Sequence, residues 1–260
     1  MDYLNNMVIV DIPEDGVATV ALNNPPLNVV TVALADELYR AMATLEKDER
    51  VRVVVLYGRG KGFSAGSDVR EFPEVRAEVV DKKLRRENEA FNAIEFLRCP
   101  TIAALEGTTC GGGLEMAMAC DIRIMSDQGR MAFPETNLGI FPASGGLFRL
   151  PKLVGQAKAL ELMYLGDFID AKECRRIGLA NSVVATGTAF DAAMEMARRL
   201  AAKPREALRR IKSGVRRFQH QASGEIFLDN LRLSADLWDS PDAREGTNAF
   251  LEKRAPKFSK

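Results

Sequence analysis

Apolar residues first recur in two short runs, Val8-Ile9-Val10 and Val17-Ala18-Thr19-Val20-Ala21-Leu22. Turn chemistry from Pro13 to Gly16 separates them, which predicts a β-hairpin. Asn23-Asn24-Pro25-Pro26 breaks the second strand. From Thr31 to Lys47 the period lengthens, and Leu34, Leu38, Met42 and Leu45 recur at helical spacing with Thr31 or Asn28 as the cap. Val51 to Tyr57 is a near-continuous apolar run interrupted by Arg52, suited to a mostly buried strand. Thr101 to Leu105 repeats that pattern and leads through Gly107 into Gly111-Gly112-Gly113. Asp121-Ile122-Arg123-Ile124-Met125 reads as a strand of alternating type. Phe190 to Lys203 is an amphipathic helix carrying Ala193, Met194, Met196, Ala197 and Leu200.

Strand, glycine turn, helix and strand in this order predict an α/β architecture. Pro204 marks the expected boundary between an α/β core, residues 1–203, and a helical, charge-rich C-terminal region, residues 204–260. Ile226, Leu231, Leu233, Leu237 and Trp238 are among the apolar positions of that region. It is too short to build its own core and must pack on the body or on another subunit.

Composition narrows the class. The 260 residues are 47% hydrophobic and 28% charged, a globular balance that excludes disorder. Lysine plus arginine equals aspartate plus glutamate, 36 against 36, so no general charge draws the chain to nucleic acid or an anionic membrane. Met1 to Val10 carries Asp2 and no basic residue, unlike a secretory signal or a transit peptide. No apolar run approaches the ~20 residues that span a bilayer. Cys99, Cys110, Cys120 and Cys174 lack C-x-x-C spacing and read as buried thiols in a reducing compartment, so a cytoplasmic protein is expected.

Candidate chemistry lies at three places. Glu115 closes Gly111-Gly112-Gly113-Leu114-Glu115, and Glu135 follows Pro134 in Phe133-Pro134-Glu135-Thr136-Asn137-Leu138-Gly139. Upstream, Gly62-Phe63-Ser64-Ala65-Gly66-Ser67-Asp68 again breaks a strand with glycine. Two glycine turns that expose backbone N–H groups, with two carboxylates, can hold a carbonyl oxyanion and move protons beside it. Taken singly, each glutamate reads better as a solvated side chain, one at a helix start and one in a loop.

Competing motifs fail. Gly58-Arg59-Gly60-Lys61-Gly62-Phe63 lacks the third glycine of a dinucleotide fingerprint, and Gly60-Lys61 precedes Gly62 instead of the Ser or Thr of a P-loop. Pro142-x-Ser144-x-Gly146 comes near a nucleophile elbow, but His220, the single histidine, sits in a charged helical stretch and reads as a surface residue. One histidine and scattered cysteines make no zinc set.

As a set, these motifs resemble the crotonase (enoyl-CoA hydratase/isomerase) superfamily, from Pro25-Pro26-Leu27-Asn28 to the last helix. Pro142-Ala143-Ser144-Gly145-Gly146 is similar to the family loop lining the acyl pocket, and Glu245-Gly246-Thr247-Asn248-Ala249-Phe250-Leu251-Glu252-Lys253-Arg254 to a further family signature. The resemblance implies a spiral of ββα units with C-terminal helices supporting a homotrimer or hexamer. It implies oxyanion N–H groups at Ser67 and Gly112, and catalysis by Glu115 and Glu135. Substrate-binding positions implied with them are Pro26, Leu27, Ala65, Gly66, Asp68, Gly111, Pro142 and Gly146. The implied reaction adds water to a 2-enoyl-CoA thioester. CoA arrives as part of the substrate, with no metal or redox cofactor.

The chain departs from the family at three positions. Ser67 replaces a common alanine, Ala143 a glycine of many hydratases, and Ser234 an aromatic residue near the CoA. The first rival is isomerisation, or dehydration of a polar acyl-CoA, since Thr136-Asn137-Leu138-Gly139-Ile140 resembles isomerase versions of that loop. The second is a non-catalytic RNA-binding member. Lys203 to Phe218 carries Arg205, Arg209, Arg210, Lys212, Arg216 and Arg217 against Glu206 alone. That run reads first as a solvated helix face, second as a contact for CoA phosphates or a neighbouring subunit. Nucleic acid comes third and is not expected, because no aromatic base-stacking set accompanies the basic run.

Overall fold

The computed structural model describes residues 6–218 and 240–258. Strand β1 (Val8–Glu14) pairs antiparallel with β2 (Val17–Leu22) across Asp15-Gly16, where Gly16 takes φ +82°. β1 runs four residues beyond its apolar run because it is an edge strand with an irregularity between Asp11 and Glu14. Pro13 sits there without costing a ladder bond.

Helix α1 (Val32–Lys47) starts where Thr31 Oγ1 accepts the Leu34 N–H at 3.1 Å, so Thr31 is the cap. Asn28 serves the preceding loop instead, its side chain donating to Arg59 O and Gly62 O at 2.9 and 3.0 Å.

Strands β3 (Val53–Gly58), β4 (Thr101–Leu105), β6 (Ile122–Ser126) and β9 (Ser182–Val184) continue the sheet in parallel. Among the described residues its order is β1-β2-β3-β4-β6-β9. Helices cover both faces, which is why these strands read as apolar runs. Val54, Leu56, Ala103 and Leu105 pack towards α1, α3 (Arg85–Glu95) and α4 (Gly112–Ala119). Val53, Val55, Ile102 and Ile124 pack against α8 (Ala189–Ala201). A one-turn helix α2 (Phe72–Val75) precedes α3, while α5 (Gly146–Val154), α6 (Gln156–Leu165) and α7 (Ala171–Arg176) follow α4.

A second, smaller sheet joins β5 (Thr108–Cys110), β7 (Arg130–Ala132) and β8 (Ile169–Asp170). Single bridges Ser64↔Thr109 and Val30↔Ser67 prolong it. Each turn of chain therefore visits the large sheet, then this short row, then a helix. The turns are β2, Val30, α1; β3, Ser64 to Ser67, α3; and β4, β5, α4. This is the expected spiral of ββα units, and the short row carries the residues that enter the helices.

Two sequence expectations are corrected. The alternation of β6 would place Arg123 outside, yet it is 2% exposed. The loop before β9 and the end of α4 close over that face, where Arg123 donates to Leu179 O at 2.7 Å and Cys120 O at 2.8 Å. The basic run is not a freely solvated face. In α9 (Arg205–Phe218), Lys212 donates to Cys99 O at 2.7 Å and pairs with Asp121 at 2.8 Å. Arg216 also pairs with Asp121 at 2.8 Å, while Arg205 and Arg209 meet Glu49 at 2.7 and 3.5 Å.

His220, Ile226, Leu231, Leu233, Ser234, Leu237 and Trp238 lie outside the described residues. A final helix, Pro241–Leu251, is capped by Ser240, and Arg254 folds back onto Glu245 at 2.6 Å. The four cysteines are buried and unbridged. Among the described residues no helix is long and apolar enough to cross a membrane.

Candidate active site

The three consecutive glycines have three separate duties. Gly111 takes φ +52° and ψ −132°, a conformation that a side chain strains, and a Cβ there would stand 3.2 Å from Glu135 Oε1. At Gly112, which opens α4, a Cβ would come within 2.6 Å of Ser67 Oγ and 3.3 Å of Ser67 N. At Gly113 it would strike Ser64 O at 2.6 Å. On the facing strand Gly66 takes φ +95°, with the position of a Cβ 3.4 Å from Gly112 N. The two loops are thus pressed backbone to backbone, bringing the Ser67 and Gly112 N–H groups side by side. Neither donates to a loop or cap acceptor among the described residues. Both remain available to an incoming oxygen, at the positive end of α4.

Glu115, on the first turn of α4, is only 2% exposed, so it is no solvated helix-start residue. Its Oε1 accepts the N–H groups of Ser144 and Gly146, each at 2.8 Å. Burial pushes its carboxyl up to about 8 against those two donors, and the charges of Glu135 and Glu87 push the same way. Glu135 enters from the short 3-10 turn Pro134–Leu138 and is 9% exposed. Burial, with Glu87 adding to it, raises Glu135 to about 7. Its Oε2 is buried and has no hydrogen-bond partner among the described residues. The charge of Glu135 opposes ionisation of Glu115. The two carboxyls titrate as a coupled pair, both above the ordinary carboxylate range.

Both carboxyls line a pocket of about 620 Å³ together with Ala65, Gly66, Ser67, Gly111 and Gly112. Val69, Phe72, Val79, Leu84, Leu138, Ile140 and Phe141 supply its apolar wall. The profile of the enoyl-CoA hydratase/isomerase family matches residues 13–260. A probable enoyl-CoA hydratase of Bacillus subtilis is 38% identical over 248 residues, covering 93% of this chain and 95% of that protein. Among solved structures, DspI of Pseudomonas aeruginosa superposes with TM-score 0.93 at 36% identity, over 98% of this chain and 97% of its own. An enoyl-CoA hydratase from Bacillus anthracis gives TM-score 0.93 at 31% identity, over 97% and 99%.

The chain belongs to the enoyl-CoA hydratase/isomerase family.

As a member it is an enzyme with the crotonase fold, and the remaining family positions can be placed. Leu27 is exposed, and its carbonyl accepts the Ala65 N–H at 2.9 Å, which sets it beside the Ala65 edge of the pocket. Pro26 follows a cis bond in the same exposed loop. Pro142 packs on Gly146, where a Cβ would meet Pro142 and approach Glu115 Oε1 to 3.3 Å; neither residue lines the pocket itself. Asp68 is occupied elsewhere, capping the turn Val69–Glu71 through the Arg70 N–H and pairing with the Arg70 guanidinium at 2.7 Å. That pairing holds its carboxyl below the usual range.

Sequence reasoning missed a buried polar cluster beside the family site. Glu87 and Lys83, each 1% exposed, line the pocket with Ser144. Lys83 pairs with Glu71 at 2.7 Å and with Glu87 at 3.3 Å, and donates to Val30 O at 3.1 Å. Asp81-Lys82-Lys83-Leu84-Arg85-Arg86-Glu87 looks like any solvated charged helix, and i,i+4 pairing is common on such faces. No local signal marks these two as interior.

Proposed function

We propose that the protein is an enoyl-CoA hydratase, adding water reversibly to a 2-enoyl-CoA to give a 3-hydroxyacyl-CoA. The observation that carries this reading is two buried carboxyls, raised to about 7 and about 8, in one pocket beside two N–H groups without a partner among the described residues. Hydration needs a base for water and an acid for C2, and a carboxyl pair sharing one proton supplies both.

In the proposed cycle the N–H groups of Ser67 and Gly112 hold the thioester oxygen and stabilise the enolate as charge develops. Glu115 positions and deprotonates the water attacking C3, with its carboxylate supported by the Ser144 and Gly146 N–H groups. Glu135 delivers the proton to C2. The relatives named as hydratases support the same reading.

The assembly we infer is a homotrimer or a pair of trimers. Leu147 and Phe148 at the start of α5, and Phe250 and Leu251 of the final helix, are exposed apolar residues that a second copy would cover. Cytoplasmic residence suits the four buried thiols. RNA binding is not supported, because Arg205, Arg209, Lys212 and Arg216 are committed to the body.

The test is a panel of 2-enoyl-CoA and 3-enoyl-CoA thioesters of increasing length, with conjugated absorbance followed and products separated. Loss of the conjugated band with formation of 3-hydroxyacyl-CoA is expected. A protein that converts 3-enoyl-CoA to 2-enoyl-CoA and leaves the latter unhydrated would overturn the hydratase reading in favour of isomerisation.

A further inference from the structure

Glu87 stands in the first turn of α3, in the pocket lining, between the two loops that the proposed reaction must hold at a fixed separation. Both of its oxygens are taken. Oε1 accepts Ser67 Oγ at 2.8 Å and lies 3.3 Å from Lys83 Nζ, while Oε2 accepts Ser144 Oγ at 2.7 Å. Ser67 carries one of the two free N–H groups. Ser144, through its own N–H, makes one of the two bonds that fix Glu115 Oε1. A single side chain therefore ties the oxyanion edge to the loop that orients a proposed catalytic carboxylate.

The surroundings serve the same tie. Asn88 donates to Ala143 O at 3.1 Å, and Arg149, paired with Glu95 at 2.6 Å, donates to Ser144 O at 3.1 Å. Lys83, 3.3 Å away, offsets the cost of burying Glu87. Phe91 and Ile94 already anchor α3 in the core. The two serine contacts, from loops far apart in the chain, are what that role leaves unexplained.

We propose that Glu87 is a positioning residue of this site, setting the distance between the Ser67/Gly112 N–H pair and Glu115 through the hydroxyls of Ser67 and Ser144. The inference rests on reading the pocket as an acyl-CoA site. It acts on the transition state and little on ground-state binding, because the Glu87 oxygens are already filled by the protein. A misplacement of about 1 Å between reacting groups can cost up to about 100-fold in rate.

The experiment compares Glu87→Ala, Glu87→Gln and Ser144→Ala with the wild-type chain. Crotonyl-CoA hydration is measured, and so is the enolate absorbance of bound acetoacetyl-CoA, which reports the oxyanion donors without needing hydration. Glu87→Ala and Ser144→Ala should lower kcat about 10- to 100-fold with KM nearly unchanged, and weaken the enolate band. Glu87→Gln should recover most of both, since its amide can accept from Ser67 and donate to Ser144. If Glu87→Ala does not fold, Ser144→Ala and Glu87→Gln decide the matter. Folded variants with wild-type kcat and an undiminished enolate band overturn the inference. A wild-type chain that binds acetoacetyl-CoA as enolate but leaves crotonyl-CoA untouched sinks only the hydratase reading, and the variants' enolate bands still judge Glu87. A wild-type chain that binds neither thioester overturns both.

Discussion

Replacing Glu115 by glutamine removes a charge and preserves a shape. The amide oxygen inherits the N–H donors of Ser144 and Gly146, each 2.8 Å from Glu115 Oε1. What disappears is an ionisation that the fold opposes, chiefly by burial. A carboxyl whose folded value lies above its unfolded value binds its proton more tightly in the native state. It favours folding below the ordinary 4.5, and that contribution is lost as the pH rises towards about 8. Each decade in that window withdraws ~1.4 kcal/mol, or ~5 kcal/mol across the whole of it. Water entering the pocket and the dipoles around a buried charge reduce that figure, leaving about 1–3 kcal/mol. For a chain of this size 1 kcal/mol moves the melting temperature by roughly 2–4 °C. Thermal unfolding at matched protein concentration should therefore show Glu115→Gln close to wild type near the acid end of the window. It should melt several degrees higher above about 8, where the wild-type chain carries the full cost. In the same preparation, hydration of a short 2-enoyl-CoA should fall by about 100- to 10,000-fold, the range for loss of a general base. A stability difference that stays flat across the window would refute the buried-charge reasoning. Unchanged hydration would remove Glu115 from the chemistry.

The other site predictions use the same assays. Glu135→Gln should damage both hydration and any isomerisation of a 3-enoyl-CoA, whereas isomerisation should better survive Glu115→Gln; the reverse pattern would exchange the two roles. Gly112→Pro deletes one N–H and should cost roughly 100-fold or more in kcat, against about 10-fold for Ser67→Ala, which keeps its N–H and loses only the hydroxyl tie to Glu87. Equal losses in the two variants would mean that side chains, and not the main chain, hold the thioester oxygen. Light scattering at micromolar concentration should return the mass of a trimer or hexamer, and a clean monomer would contradict the assembly inferred from the exposed apolar residues.

Most of the architecture was legible along the chain because its cues are local. Uninterrupted apolar runs at Val53–Gly58 and Thr101–Leu105 announce strands covered on both sides, and Thr31 caps α1 through a bond three residues away. The candidate catalytic residues were legible for a related reason: Gly66, Gly111 and Gly112 mark places where backbone must pass backbone, Glu115 follows Gly112 by three residues, and Glu135 stands in its own short motif between Pro134 and Gly139. Burial is different, since elements distant in sequence impose it. The alternation around Arg123 carries no trace of the loop carbonyl of Leu179 that accepts its guanidinium. The basic run of α9 reads as solvated until Asp121 and Glu49 meet it. Lys83 and Glu87 share the i,i+4 spacing of countless surface pairs, and only the approach of Ser67 from one loop and Ser144 from another turns them into part of the site. The same enclosure lifts Glu115 to about 8 and Glu135 to about 7. Sequence determined which carboxyls stand at the glycine turns; tertiary structure decided their proton affinity, because desolvation depends on everything packed around a charge and not on its neighbours in the chain.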